Sequence, residues 1–235
     1  MALVHSSPKI VTDNLILYVD AANTKSYPGT GTAWTDISGN GNNITLTSSG
    51  ISYDSSDGGG SIVFDGTDGK GSNSLSIDNI DDNGGSLEVW CRITDTSSYR
   101  HIAGWRTSNA HFYMLLLNND GRMEARADGA GSNVDIVTSD YGTSFWANNW
   151  NQIVLTLNRS DNKTRFYLNG SLVDTSSSTV GAMGSNTSFE LMKTASLSIA
   201  TSAGRLSQVR VYSGKVLSEA EVKQNYNAHK RRYGS

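Results

Sequence analysis

The sequence is poor in the residues that would constrain a chain covalently or conformationally. Its 235 residues include one cysteine, Cys91, and two prolines. A single cysteine excludes an internal disulfide, and with it the disulfide-rich class of small secreted domains. A chain of this length buries roughly 70% of its unfolded surface, so it needs no such cross-link. We therefore expect a protein that folds in a reducing cytoplasm.

Long apolar runs and an excess of positive charge are also missing. No apolar run approaches the roughly 18 residues that a membrane-spanning helix needs, and the first residues lack the pattern of a secretory signal. The chain carries 19 Lys and Arg against 22 Asp and Glu, a net charge of −3. An acidic domain without a basic stripe is a poor candidate for binding the phosphate backbone of a nucleic acid. We expect neither membrane insertion nor nucleic acid binding.

Turn-forming residues are abundant, with 24 glycines and many Ser, Asn and Asp, as in chains of short strands. Leu87, Val89 and Cys91 alternate with the residues at 88, 90 and 92. A period of two places the three apolar side chains on one face of a strand. The pairs Asp-Gly at 120–121 and Asn-Gly at 169–170 lie between apolar runs and predict two hairpins. Further strands are predicted at residues 10–19, 62–64, 74–78, 134–137, 152–157, 188–192, 197–200 and 206–212.

One segment has the pattern of a helix. Ser218 and Glu221 have the spacing of a capping box, and the pattern predicts a helix from about Glu219 to about His229. The basic cluster at residues 230–232 is interpreted as cations that a helix C-terminus favours. Many strands and one terminal helix predict an all-β fold, an antiparallel two-sheet sandwich with one short C-terminal helix. A larger β-barrel is the alternative.

Several segments also carry a resemblance to a known family. They are DNLILYVDAAN at residues 13–23, WTDISGNGNN at 34–43, FDGTD at 64–68, LEVW at 87–90, WNQIVLT at 150–156, FYLNG at 166–170, LSQVRVY at 206–212, LSEAEV at 217–222 and NYNAHKRRYG at 225–234. In this order they resemble the laminin-G-like, concanavalin-A-like jelly rolls found in tailed-phage virion proteins. The resemblance implies a jelly roll over residues 10–213, an N-terminal arm at 1–9, and a C-terminal helix and tail of the same domain at 214–235.

This fold class includes glucanases, so enzyme activity has to be tested against the residues. A glycosidase needs two carboxyl groups about 5–9.5 Å apart. Glu219 and Glu221 belong to the helix cap, and Glu88 is followed on its strand by Trp90 and Arg92, without a carboxylate partner. Glu124 is flanked by Met123 and Ala125 on a hairpin, and no acid pair of the needed spacing is found among these residues and Glu190. We predict a non-enzymatic protein, with a glycoside hydrolase as the less favoured alternative.

Two functions fit a protein of this kind. The first is a virion structural protein, such as a capsid decoration, fibre or tail-associated subunit, that contacts other virion proteins or copies of itself. It would lie on the virion surface after assembly in the host cytoplasm, and its lectin-like fold would help adhesion to host surface glycans. The alternative is a carbohydrate-binding module of a larger assembly.

Candidate site residues follow from the chemistry of sugars and calcium. Sugars stack on exposed aromatic rings, and the candidates in or beside predicted loops are Tyr27, Tyr99, Trp105, Tyr141 and Trp146. The alternative is that these rings cap the core, as we expect of Trp34, Trp90 and Trp150. No cofactor is required, but three acids near turns offer oxygen ligands to Ca²⁺. They are Asp20, Asp65 and Asp68, for which hydrogen bonds within turns are the alternative.

Overall fold

The computed structural model describes residues 8–95, 97, 99–108, 111–118, 120–128, 135–137, 141–185, 187–193 and 201–234. The strands in this part of the chain are β1 (Leu15–Asp20), β2 (Ala33–Trp34), β3 (Ile44–Leu46), β4 (Ile51–Asp54), β5 (Ser61–Asp65), β6 (Gly71–Asn73), β7 (Gly85–Ile93), β8 (Arg100–Ser108), β9 (His111–Leu117), β10 (Met123–Asp128), β11 (Asp135–Val137), β12 (Asn151–Asn158), β13 (Lys163–Leu168), β14 (Ser171–Thr175), β15 (Phe189–Leu191) and β16 (Ala203–Ser213). The helices are α1 (Asp78–Asn83), α2 (Thr143–Asn148) and α3 (Glu219–His229), with short 3-10 helices at Asp57–Gly59 and Lys230–Tyr233. No described helix is long and apolar enough to cross a bilayer.

The strands form two sheets of eight, and the recorded strand pairs are antiparallel. Sheet A has the order β14-β13-β12-β7-β16-β5-β4, with β1 also paired to β16. Sheet B has the order β11-β10-β9-β8-β15-β6-β3-β2. The prediction of an antiparallel two-sheet sandwich with a C-terminal helix is confirmed.

The core lies between the two sheets and follows the alternation in the sequence. Leu87, Val89 and Cys91 of β7 belong to the main hydrophobic cluster, and Val89 pairs with Ile153 on the adjacent strand β12. The three tryptophans expected to pack, Trp34, Trp90 and Trp150, are all buried. Burial of this apolar surface is the main driving force for joining the sheets.

Helix α3 covers the outer face of sheet A through a network of buried polar side chains. Arg210 of β16 and Glu88 of β7 are both buried, and Nη1 of Arg210 lies 2.6 Å from Oε1 of Glu88. Asn225 of α3 donates to the other oxygen of Glu88 at 2.7 Å and accepts the backbone N–H of Val11 at 2.9 Å. Because an unpaired buried charge is strongly destabilising, these contacts determine where the helix docks on the sheet.

The WTDISGNGNN segment at residues 34–43 forms hydrogen bonds with the edge of β1 that is not paired to β16. The buried Asp36 carboxylate accepts hydrogen bonds from the backbone N–H groups of Tyr18, Ser38 and Asn42 at 2.8–3.0 Å. The amide of Asn42 also donates to the carbonyl of Ile16 at 2.7 Å. The loop therefore satisfies backbone groups that an open strand edge would offer to another chain.

Two sequence predictions of local structure differ from the observed fold, and two short helices were not predicted. Residues 74–78 were predicted as a strand because Leu75 and Ile77 alternate with polar residues, but both are buried in the connection between β6 and α1. A period of two over so few residues also fits a loop that inserts two side chains into the core. The turn expected at residues 81–85 includes the end of α1, and neither α1 nor α2 was predicted. The strand predicted at residues 197–200 lies outside the described residues.

Candidate binding site

Two of the predicted sugar-stacking rings belong to the core. Trp105 and Trp146 are 0% and 1% exposed, so the prediction that they present a ring face to a ligand is wrong. Each indole N–H donates to a loop carbonyl: Trp105 to Leu75 at 2.7 Å and Trp146 to Gly121 at 2.6 Å. An indole whose N–H has a partner can be buried at little cost, which is why the core accepts them.

The other predicted aromatic residues differ in exposure. Tyr141 is half-buried, with its ring stacked on Phe145 at a centroid distance of 5.1 Å. Tyr99 is 41% exposed and is the one predicted ring that stands out from the described surface. Tyr27 is buried, but it lines a surface pocket that is described below. The structure therefore leaves Tyr99 and Tyr27 as candidates of two different kinds.

The three predicted calcium ligands do not converge. No group of three His, Cys, Asp or Glu side chains suited to a metal ion is found among the described residues. Both oxygens of Asp20 accept hydrogen bonds from Arg232, at 2.8 and 3.0 Å. Asp65 accepts the N–H groups of Thr67 and Asp68, and those backbone hydrogen bonds lower its pKa. The alternative for Asp65, a hydrogen-bonded turn, is confirmed, and these acids do not fit a shared calcium site.

The glutamates of sheet B lie too far apart for glycoside hydrolysis. Glu124 on β10 and Glu190 on β15 are separated by strands β9 and β8, which puts their backbones about 14 Å apart. Glu124 is also held by Asn118 at 2.8 Å and by Arg126 at 2.7 Å. A pair of catalytic carboxyl groups lies about 5–9.5 Å apart, so this arrangement does not fit one.

One pair of acids does converge, but its chemistry does not suit a general acid. Asp54 and Asp57 contact the same guanidinium, that of Arg205, at 2.8 and 3.1 Å, and Asp57 also pairs with Arg92. Hydrogen bonds from Ser56, together with Arg205, lower the pKa of Asp54 to about 2. The protonated partner in a glycosidase needs a raised pKa, so this ion-pair cluster is a structural one.

A pocket of about 250 Å³ opens where the edge of sheet A meets the edge of sheet B. Three segments form it: the loop between β1 and β2, the connection between β3 and β4, and strand β4 itself. The lining residues are Tyr27, Gly29, Thr30, Gly31, Thr32, Thr47, Ser48, Ile51, Ser52 and Tyr53. We call this the hydroxyl pocket, because five of its ten lining residues are Ser or Thr and none is charged.

The wall of the hydroxyl pocket is built around two tyrosines. The rings of Tyr27 and Tyr53 lie 5.4 Å apart at an angle of 55°. The hydroxyl of Tyr27 donates to the carbonyl of Gly31 at 2.9 Å, which folds the loop over the ring, and burial raises the pKa of Tyr27. Gly29 has a φ of +92° and passes close to Tyr53; a side chain there would meet its ring at 3.4 Å. The glycine keeps this side of the Tyr53 ring open.

The chemistry of the hydroxyl pocket suits a polyhydroxylated neutral ligand. Aromatic rings offer an apolar surface to the C–H face of a sugar, and hydroxyl groups both donate and accept hydrogen bonds. Sequence analysis identified Tyr27 but missed Tyr53 and the hydroxyl residues around it. The signal available was the density of Thr and Ser at residues 30–32 and 47–49, which by itself resembles any turn.

Two antiparallel sheets packed face to face and covered by a terminal helix define a lectin-like jelly-roll domain. The chain belongs to the concanavalin A-like lectin/glucanases superfamily, whose family model matches residues 65–223. The predicted family resemblance is thereby confirmed. Comparison of the sequence with curated proteins gave no match.

Solved structures of similar fold include binding domains of protein toxins. The binding domain of Paraclostridial Mosquitocidal Protein 1 is 18% identical, with a TM-score of 0.72 over 92% of this chain and 52% of that one. The botulinum neurotoxin serotype D binding domain gives 16% identity and a TM-score of 0.70 over the same shares. A binding domain of botulinum neurotoxin DC, solved in complex with SialylT, is 16% identical, with a TM-score of 0.68 over 93% of this chain and 52% of that one. This chain spans about half the length of each of these domains.

Proposed function

We propose that this domain is a non-catalytic carbohydrate-binding module and that the hydroxyl pocket holds a neutral sugar residue. The observation that carries the proposal is the pocket itself, where two tyrosine rings and five hydroxyl side chains converge without a charge. Its volume of about 250 Å³ suits a single sugar ring. Sites that bind sugars and other small molecules typically combine an aromatic wall with a small number of precisely placed polar groups.

The superfamily and one neighbouring structure support the same proposal. The family description includes lectins, and the neurotoxin DC binding domain was solved with SialylT bound. Neither finding identifies a ligand for this chain, which matches about half of that domain. They support glycan recognition as the class of function, and the pocket supports its place on this chain.

The proposal is tested by blocking the pocket and measuring glycan binding. We expect Tyr53→Ala to weaken binding of neutral glycans on an array roughly tenfold, because the sugar loses its stacking surface. Ser48→Trp, an exposed position on the rim, should abolish binding by filling the pocket without disturbing the core. Ser55→Trp, exposed but outside the pocket, is the matched control and should bind as the unmodified protein does.

Tyr99 is the competing candidate for the residue that stacks on a sugar. Its exposed ring lies outside the hydroxyl pocket, so Tyr99→Ala should leave neutral glycan binding unchanged. If Tyr99→Ala abolishes binding while Ser48→Trp does not, the module binds sugars at a different place. If no glycan binds the unmodified protein, the carbohydrate-binding function itself is wrong.

A role as a virion structural protein stays a prediction. Subunits of permanent assemblies bury large apolar surfaces, whereas the large hydrophobic side chains exposed in the described part of the chain are Tyr99 and Leu172. This surface fits reversible recognition better than permanent packing. Mass spectrometry of purified particles tests the prediction, and absence of the chain from them would contradict it.

A further inference from the structure

We propose that the domain has a second binding site, which takes a sugar residue bearing a carboxylate. The site is a cavity of about 410 Å³ between the segment before β1, the strand β1 and the C-terminal end of α3. We call it the terminal cavity, and the residues that carry the argument are Lys9, Ile10, Thr12, Tyr18 and His229. The inference rests on the proposed function only for the class of ligand, because the two sites share no residue.

The walls of the terminal cavity are held in place by hydrogen bonds between distant parts of the chain. Gln224 of α3 donates to the carbonyl of Lys9 at 2.6 Å. Two residues further along the segment, the N–H of Val11 donates to Asn225, and the carbonyl of Val11 accepts from the Tyr212 hydroxyl at 3.1 Å. A preformed site binds without the cost of ordering its walls, so this cavity is suited to a ligand.

The lining combines an apolar wall with a few polar groups. Ile10, Ala228 and the ring of Tyr18 give the apolar surface, and Thr12 and His229 add a hydroxyl and an imidazole. Lys9 is exposed at the mouth and has no ion-pair partner among the described residues. No acidic side chain lines this cavity in the described part of the chain.

The charged groups behind the wall are paired with one another, so Lys9 supplies the charge that the terminal cavity presents to a ligand. The guanidinium of Arg210 lies under the Tyr18 ring, 4.5 Å from its centroid, and its Nη2 is 3.3 Å from Nδ1 of His229. Burial first, and then the charge of Arg210, lower the pKa of His229 to about 4, so the imidazole is neutral at pH 7. Glu88 and Asp20 neutralise Arg210 and Arg232, which leaves Lys9 as uncompensated positive charge in a chain of net charge −3.

A uronic acid matches this arrangement group by group. Its carboxylate would pair with the ammonium of Lys9, its C–H face would rest on Tyr18, and its hydroxyls would meet Thr12 and His229. A neutral sugar would leave Lys9 without a partner, while a purely inorganic anion would leave the apolar wall unfilled. The chemistry of the cavity therefore selects a sugar that carries a negative charge.

The experiment is titration calorimetry of the full chain with D-glucuronate as the probe and methyl glucoside as the neutral comparison. We expect glucuronate to bind and Lys9→Ala to weaken it about fivefold, the effect of one exposed ion pair. Binding to the unmodified protein should weaken as salt is added, and Lys9→Ala should lose most of that dependence. Lys25→Ala, an exposed lysine outside the cavity, is the control and should bind as before.

The results separate this inference from the proposed function. Tyr53→Ala should leave glucuronate affinity unchanged; if it removes glucuronate binding, the sugar acid occupies the hydroxyl pocket and the terminal cavity is not a site. Equal affinities for glucuronate and methyl glucoside, equal effects of Lys9→Ala and Lys25→Ala, or no glucuronate binding at millimolar concentration would each overturn the inference. Neutral glycan binding that persists in Lys9→Ala would leave the proposed function standing.

Discussion

Asp36 shows how a single buried carboxylate can organise an entire loop. It joins β1 to the WTDISGNGNN segment through its two oxygens, which accept three backbone N–H groups and the Ser38 hydroxyl. Hydrogen bonds to a charged group contribute more than those between neutral groups. The carboxylate therefore stabilises both the loop and the strand edge that the loop covers.

We predict that Asp36→Ala lowers the free energy of unfolding by about 3 kcal/mol, because buried N–H groups lose their acceptors. Urea denaturation followed by tryptophan fluorescence measures this difference. Asp36→Asn keeps the shape and one acceptor oxygen, so its loss should be smaller. Equal losses for the two variants would mean that one acceptor oxygen in the native shape stabilises nothing, and that the loop requires the charged carboxylate with both oxygens.

At the same scale, the sequence predicts which residues are buried better than it predicts which are exposed. Cys91 and Val89 were placed in the core by alternation alone, and they are there. Trp105 and Trp146 were misplaced because the carbonyls that receive their N–H groups belong to residues 30 and 25 positions away. No local pattern reports such a partner, and without one an indole is expected near the surface.

Helix α3 is the element whose boundaries are set most locally. Ser218 accepts the backbone N–H of Glu221 at 3.3 Å, and the Glu221 side chain accepts the backbone N–H of Ser218 at 2.8 Å. The predicted capping box is confirmed, and the helix runs from Glu219 to His229 as expected. Elements whose signals lie within a few residues, including both predicted hairpins, are the ones that sequence analysis found.

We expect Ser218→Ala to lower the free energy of unfolding by about 1 kcal/mol, since the first turn of α3 loses its cap. Chemical denaturation measures the loss, and Ser218→Asp should recover most of it because an aspartate also accepts the N–H. If Ser218→Ala leaves the free energy of unfolding unchanged, the helix is held without its cap by the hydrogen bond from Asn225 to Glu88 and by Tyr233, just after α3, which stacks on Trp90 of β7.

Elements without a local signal were missed for a different reason. Helix α1 has six residues, DNIDDN, of which Ile80 is the buried one, so no helical period can be seen. The hydroxyl pocket likewise joins residues 27–32 with residues 47–53, and only the packing of two sheet edges brings them together. Sites made at such edges depend on the whole topology and are not encoded in any one segment.

For the whole molecule, two buried histidines determine the response to acid. Burial lowers the pKa of His101 and His229 to about 4, from the 6.5 of a solvent-exposed imidazole. In the unfolded chain both rings take up protons near pH 6.5, so stability is complete above that pH and is lost between about 6.5 and 4. Protonation of each ring in the unfolded chain lowers the free energy of unfolding by on the order of 3 kcal/mol once the pH has fallen to about 4. Glu190 and Arg106 face His101, and Arg210, Asp20 and Arg232 face His229.

Thermal unfolding measured from pH 7 to pH 4.5 tests this response. The midpoint should fall steadily below pH 6.5, and His229→Gln should reduce the fall by about half because one of the two rings no longer titrates. A midpoint that stays constant down to pH 5 would show that neither imidazole is held neutral in the folded protein.

The single thiol of this protein lies deep between the sheets. Cys91 is fully buried, and burial raises its pKa to about 12, so alkylating reagents find almost no thiolate. A cysteine introduced at an exposed rim position such as Thr30 would therefore be the one thiol of the chain that alkylating reagents reach. A fluorophore attached there would report occupancy of the neighbouring pocket without background, and no native residue would first have to be removed.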